Sequence, residues 1–260
     1  EAGVPQADHV YPEDGSFTIE VCADDGDGGS GCATSLAAIA NEAPQARRGA
    51  DIGFTGWLRE ELGGGTTSRW APAADLRAVT EELNGEPSFL VGELPGYGTS
   101  ELTLSIRDYG DDDFVGLAVG FEPGDSTRAT AEYLLIDWKQ GDQSGARRGL
   151  ALSRVVGIPS AGELWVHQDL AANGTANRVV ELQRGAHFGA AGWARQTEYR
   201  LRVEATPTRL RLYIDGRLEL DYSGPVPNGA LALYDFSQAG ARFGGGIADS
   251  FLTGREGDLV

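Results

Sequence analysis

The chain has 260 residues, enough for one large domain or for a domain with an extension, and strand sandwiches often reach about 200–250 residues undivided. Its 39 acidic side chains against 21 basic ones give a formal charge of −18. The pairs Arg47-Arg48 and Arg147-Arg148 are its nearest approaches to a basic patch, so nucleic acid and anionic membrane surfaces are excluded as partners. No apolar run approaches the ~18 residues that a spanning helix needs, so no membrane span is expected.

Residues 1–50 stand apart from the rest, with nine acids and no lysine or arginine before Arg47. They hold one strand-like run, Ser16 to Val21, in which alternation puts Phe17, Ile19 and Val21 on one face and Ser16, Thr18 and Glu20 on the other. Cys22 and Cys32 flank a glycine-rich loop, can close a disulfide in an oxidising compartment, and have no further cysteine or histidine at zinc-ligand spacing. Two free buried thiols are the alternative. Between them Asp24, Asp25 and Asp27, with Gly26 and Gly28, form part of a calcium-loop pattern but lack the later glutamate of an EF-hand, and a flexible acidic loop is the plainer account. Thr34 to Asn41, TSLAAIAN, fits two turns of helix. The segment reads as an acidic N-terminal extension with one strand and a Cys22–Cys32 loop. The chain has no methionine and starts Glu1-Ala2-Gly3, which fits the mature side of a signal-peptidase cut, so export is expected. Lys139 is its only lysine; such a surface suits high salt and equally reflects coding-base composition.

Beyond about residue 51 strands dominate. ELTLSIR (101–107), FVGLAVGF (114–121), EYLLIDW (132–138) and LALSRVV (150–156) mix alternating and continuous apolar patterns bounded by Gly, Asp and Pro. In residues 198–222, Tyr199, Leu201 and Val203 share a face, followed by Leu210, Leu212 and Ile214 and then Leu218, Leu220 and Tyr222. Asp215-Gly216 is a two-residue hairpin signal, so this stretch predicts an antiparallel meander. With later strands such as ALALYDF (230–236), the chain predicts an all-β, antiparallel two-sheet sandwich. AADLRAVTEEL (73–83) has the propensity of a helix.

The stretch RDYGDDDFVG (107–116) places Asp108, Asp111, Asp112 and Asp113 within six residues. Like charges this close repel unless solvent screens them or a cation joins them. A metal and a solvated acidic loop are the two readings.

Four phrases, DDDFVGLAVGF, EYLLIDWKQG, ELQRGAHFGAAGWARQTEYRLRV and GALALYDFSQAGARF, resemble the C-terminal domain of thrombospondins and its bacterial relatives over roughly residues 51–252. The resemblance implies an L-type-lectin-like (concanavalin A-like) jelly roll, with residues 253–260 as a tail. It implies that residues 68–94 are the opening strand pair joined by an Asn84-Gly85 turn, which overrides the helical reading of 73–83. It implies calcium at Asp111, Asp112 and Asp113 with Asp108 as an extra ligand; calcium takes six to eight oxygens in flexible geometry, which loop carboxylates, carbonyls and water can supply. The calcium-binding repeats that precede this domain in animal thrombospondins are missing from the chain.

A glycan hydrolase on such a sandwich needs two or three carboxylates flanking the bond, spaced by two along a strand so that they share a face. Glu219-x-Asp221 is the only approach to that pattern, and Glu132 and Asp137 fall on opposite faces. His9, His167 and His187 are scattered without a nucleophile motif; a lone histidine more often reads as a hydrogen-bonded structural residue, with ligand contact the alternative for His167. Trp57, Trp70, Trp138, Trp165 and Trp193 read mainly as core, and Asn173-Gly174-Thr175 as a surface loop. The expected function is a secreted or cell-surface calcium-binding recognition or adhesion module, non-catalytic, whose partner is an extracellular glycan or protein. The alternative is a matrix or filament subunit joined to copies of itself by addition of the N-terminal strand, a partnerless strand that a neighbour's sheet edge would complete.

Overall fold

The computed structural model describes residues 15–24, 26–39, 50–51, 53–107, 110–168 and 178–249. The chain divides into two compact units, Glu1–Arg47 and Arg48–Val260. Asp108, Asp25, His9, Asn173 and the tail lie outside the described residues.

In the first unit β1 (Gly15–Asp24) pairs antiparallel with β2 (Ser30–Ile39), Gly15 opposite Ile39 and Asp24 opposite Ser30. Cys22 faces Cys32 across the ladder and the two form a disulfide, with Cα atoms 4.0 Å apart. Gly26 and Gly28, at φ of 78° and 96°, supply the left-handed positions that turn the chain. Two expectations are corrected here. Residues 34–39 are strand rather than helix, and the extension holds two strands rather than one. A two-turn helix is too short to be stable alone, whereas a ten-residue ladder with a covalent staple fixes this stretch opposite β1.

The second unit runs β3 (Ala50–Asp51), β4 (Leu58–Glu61), β5 (Trp70–Pro72), β6 (Ala78–Glu81), β7 (Ser88–Pro95), β8 (Gly98–Ile106), β9 (Phe114–Phe121), β10 (Glu132–Lys139), β11 (Gly149–Val156), α1 (Ala161–Val166), β12 (Val179–Arg184), β13 (Glu198–Thr206), β14 (Arg209–Ile214), β15 (Arg217–Ser223), β16 (Ala230–Phe236) and β17 (Ala241–Asp249). Among the described residues these make two antiparallel sheets, β12-β11-β10-β9-β16-β7-β4 and β15-β14-β13-β8-β17-β6-β5, with β3 beside β17. The two-sheet sandwich expected from the sequence is therefore the fold of this unit.

Between the sheets lies one core, which includes Leu104, Leu117, Ile136, Trp138, Leu152, Leu201, Leu212, Leu233 and Phe243. Tyr199, Leu201, Val203, Leu210, Leu212 and Ile214 are all buried, as their alternation predicts. The third meander strand departs from that pattern. A bulge between Leu212 and Tyr213 sets Leu212 opposite Leu220 but Tyr213 opposite Leu218, so Leu218 is 38% exposed and Glu219 turns inward. Residues 68–94 also differ from expectation. They do not fold as one hairpin about Asn84-Gly85: β6 pairs with β5 and β17, while β7 pairs with β4 and β16 in the other sheet. The chain crosses between sheets at that point, which frees the Asn84 side chain for longer-range contacts.

The central strands of the seven-stranded sheet are buried on both faces. All eight residues of β9 are buried, which accounts for its unbroken apolar run. On the outer face a second cluster, Phe89, Phe114, Phe121, Tyr133, Tyr234 and Phe236 among others, packs with Leu164 and Trp165 of α1. That helix starts on a capping box: Ser160 Oγ accepts from the Glu163 N–H at 3.2 Å and the Ser160 N–H donates to Glu163 Oε2 at 2.6 Å.

Candidate functional site

The acidic turn links β8 to β9, and its backbone is held from several elements. The Asp113 N–H donates to Gln238 Oε1 at 3.0 Å, and the Asp113 carbonyl accepts from Trp193 Nε1 at 3.1 Å. The Asp112 carbonyl accepts from the Gln140 N–H at 3.1 Å, and that of Asp111 accepts from Arg195 Nη2 at 2.5 Å. Asn84 Nδ2 donates to Asp111 Oδ2, while Asn84 Oδ1 accepts from the Ala239 N–H at 2.8 Å. The crossing at Asn84 thus clamps the turn to the start of β17.

These contacts converge the three carboxylates, which each offer an oxygen within 4.8 Å of the others. Burial, and then the charges of Asp113 and Asp112, push the Asp111 carboxyl above its ordinary value against the opposing Asp112 N–H. Further in, burial and the charge of Glu81 hold Asp235 well above the usual carboxylate range, with Asp113 and Asp111 adding to the effect. The region is a sink of negative charge. A cation does enter it: Lys139 Nζ donates to Asp113 Oδ1 at 2.6 Å and stands 3.5 Å from Asp112 Oδ1. The donor set also fits calcium in charge and atom type, hard oxygens on a turn, although Asp113 already has an ammonium partner.

A second set of ion pairs continues along the same face of β10. Asp137, two residues before Lys139, accepts from His167 Nε2 at 2.8 Å; His167 Nδ1 lies 3.2 Å from Glu181 Oε2, and Arg184 Nη2 donates to that oxygen at 2.5 Å. His167 closes α1 in the left-handed region at φ 53°, which aims its ring at the sheet. Burial opposes its charge, but Asp137 and the hydrogen bond to Glu181 outweigh that and lift the imidazole to about 9. Glu181, raised by burial, is carried the other way by hydrogen bonds from His167 and Arg184, to about 2. Phe114 joins the two sets, with His167 and Trp165 each 5.5 Å from it between ring centres.

Other residues singled out in the sequence do different work. Glu219 accepts from the His187 and Phe188 N–H groups at 2.8 and 3.0 Å and ties down the loop before β13, whereas Asp221 pairs with Arg209 on the surface at 2.8 Å. They do not share a cleft. Glu132 is exposed and paired with Arg154. Trp138 and Trp193 are core, and Trp57, Trp70 and Trp165 are partly buried against it or the second cluster. Asp24 accepts from the Gly26 N–H at 2.7 Å in an exposed turn. Among the described residues the other potential metal cluster is Glu20 with Cys22 and Cys32, whose sulfurs are joined to each other. Sequence reasoning missed Lys139 and Asp137, whose partners Asp113 and His167 lie far along the chain, and Glu81, which accepts from the Arg69 and Leu83 N–H groups. It also missed α1, although its Ser160-x-x-Glu163 capping signal was legible.

No protein-family model matches the sequence, and no curated protein matches it. Solved structures do resemble the fold. The exoplasmic/lumenal domain of VIP36, in a Ca2+/Man-bound form, is 12% identical over 78% of this chain and 86% of its own, with a TM-score of 0.50. The carbohydrate-binding module CBM66 from Bacillus subtilis is 15% identical over 75% of this chain and 94% of its own, with a TM-score of 0.49. The sandwich is of the lectin-like, concanavalin A-like kind.

Proposed function

We propose that the sandwich is a secreted, non-catalytic recognition module that takes an extracellular glycan or protein ligand, with calcium at Asp111, Asp112 and Asp113 fixing the turn beside α1. The observation that carries the reading is the convergence of those three carboxylates within 4.8 Å on a turn clamped from four directions. The thrombospondin resemblance gives the same turn a calcium role, and the VIP36 domain of like fold is a Ca2+/Man-bound form. Against catalysis, Glu219 and Asp221 have separate structural partners. Calcium titration calorimetry on the full chain and on Asp111→Asn tests the metal; equal heats from both reject it. A glycan array with calcium, run beside a reducing-sugar assay, tests the module, and sustained turnover rejects it.

A second reading, assembly through the N-terminal unit, is favoured by one observation. Val21 is 64% exposed and Ile19 is also exposed, and β2 carries no charged residue to guard its edge. Because β1 is already paired with β2, strand addition would use an outer edge of the hairpin and not a single partnerless strand. Light scattering before and after deletion of residues 1–21 decides it: large particles that survive the deletion reject the hairpin as the link.

A further inference from the structure

Lys139 is completely buried and surrounded by groups chosen for a cation. Its Nζ donates to Asp113 Oδ1 at 2.6 Å, to the Asp112 carbonyl at 3.2 Å and to Gln143 Oε1 at 3.2 Å. The Phe114 and Trp165 rings stand over it at 5.1 and 4.6 Å, with Trp165 fixed by a 3.2 Å bond from its Nε1 to the Gln143 carbonyl. A buried ammonium persists only when its donors are met and a counter-charge is near, and aromatic faces add to its stabilisation. All of these are present around the chain's one lysine. Three carboxylates and one ammonium leave two negative charges in the turn, the complement of one divalent ion.

We propose that Lys139 is the resident cation of the acidic turn. It neutralises Asp113 from the inner side, keeps the turn folded without metal, and confines calcium to Asp111 and Asp112 on the outer side. The proposal rests on the calcium reading of this turn but makes the fold independent of the ion. It narrows the ligand set of that reading from three carboxylates to two, because Asp113 is taken by Lys139. A cage of three carboxylates held by metal alone would instead come apart when the metal is removed.

Terbium(III) is a suitable probe, since it takes calcium-type oxygen ligands and indoles sensitise its emission; Trp193 Nε1 donates to the Asp113 carbonyl at 3.1 Å. The full chain, Lys139→Met and Lys139→Met/Asp113→Asn are titrated with terbium and melted in chelator and in calcium. In chelator the unaltered chain is expected to melt cooperatively near its calcium midpoint. Lys139→Met should melt far lower in chelator, recover in calcium, and bind terbium about tenfold tighter, because a repelling charge next to the site is gone. The double variant should regain most of the lost midpoint without calcium, since neither charge is left alone. If Lys139→Met is recovered only unfolded, the double variant carries the test, and its failure to fold as well overturns the proposal. Tight terbium binding by Lys139→Met alone supports Lys139 as the resident cation and removes the calcium reading, and with it the confinement of calcium to Asp111 and Asp112. An unaltered chain as sensitive to chelator as Lys139→Met overturns the proposal and keeps that reading. Absence of terbium binding by every form overturns both.

Discussion

The two sheets of the sandwich treat charge in opposite ways. Along β13 burial alternates, and the outward residues of the eight-stranded sheet make surface pairs such as Arg209 with Asp221 and Arg202 with Glu204. Along β9 and β10 the outer face is roofed by α1, and its charged residues Asp137 and Lys139 have no exposure at all. An outward charge on the open sheet, unlike the inward Glu81 and Glu219, is solvated whether or not its partner is present. A charge under the roof depends entirely on its partner, so the covered face is where a substitution should be felt.

The sharpest way to break this contrast is His167→Ala. It strips the partner from Asp137, whose Oδ1 already lacks a hydrogen bond among the described residues, and breaking a buried pair costs roughly 3–5 kcal/mol. Urea denaturation of the sandwich should show a loss of that size; a loss below 1 kcal/mol would mean that water reaches Asp137. Trp165→Ala removes the roof over Lys139, Phe114 and Phe236. Because Trp165 is only half-buried, a loss of about 2–3 kcal/mol is expected, below the range for fully buried tryptophan.

A pH series sharpens the comparison further. The His167 imidazole rises from 6.5 to about 9 on folding, so its stabilisation is complete below pH 6.5 and disappears as pH climbs through 9. Glu181 falls from 4.5 to about 2, so its share is complete above pH 4.5 and disappears as pH drops through 2. Both shares are complete between pH 4.5 and 6.5, and His167→Gln should flatten the alkaline decline. An alkaline decline unchanged in that variant would assign it to another group. The smallest effect belongs to the open sheet: Asp221→Ala should leave the midpoint within error, because exposed pairs contribute little.

How much of this was readable in advance follows the same divide. The alternating pattern of residues 198–214 was legible because one face is wet, and the continuous run of β9 signalled burial on both sides without showing what covers it. The bulge at Leu212 was hidden, since no residue type demands it, and so Leu218 and Glu219 were assigned to the wrong sides. Residues 34–39 were misread because their partner strand, not their own propensity, sets their conformation. Of the site, the carboxylates of the acidic turn were visible as a charge anomaly. Their counter-charge was not, because Lys139 stands 26 residues beyond Asp113 and meets it only through the register of β9 against β10.

The burial of the one lysine also changes how the protein can be handled. Reagents that acylate lysine amines find no reactive side chain on the folded sandwich, so coupling to beads, dyes or arrays through lysine should fail, and carboxylate chemistry is the route to use. The same shelter makes Lys139 a clock. Its acylation requires that α1 lift or the turn open, so the rate at which a mass increment appears on the peptide containing Trp138-Lys139-Gln140 measures how often this corner of the fold comes apart in otherwise native protein.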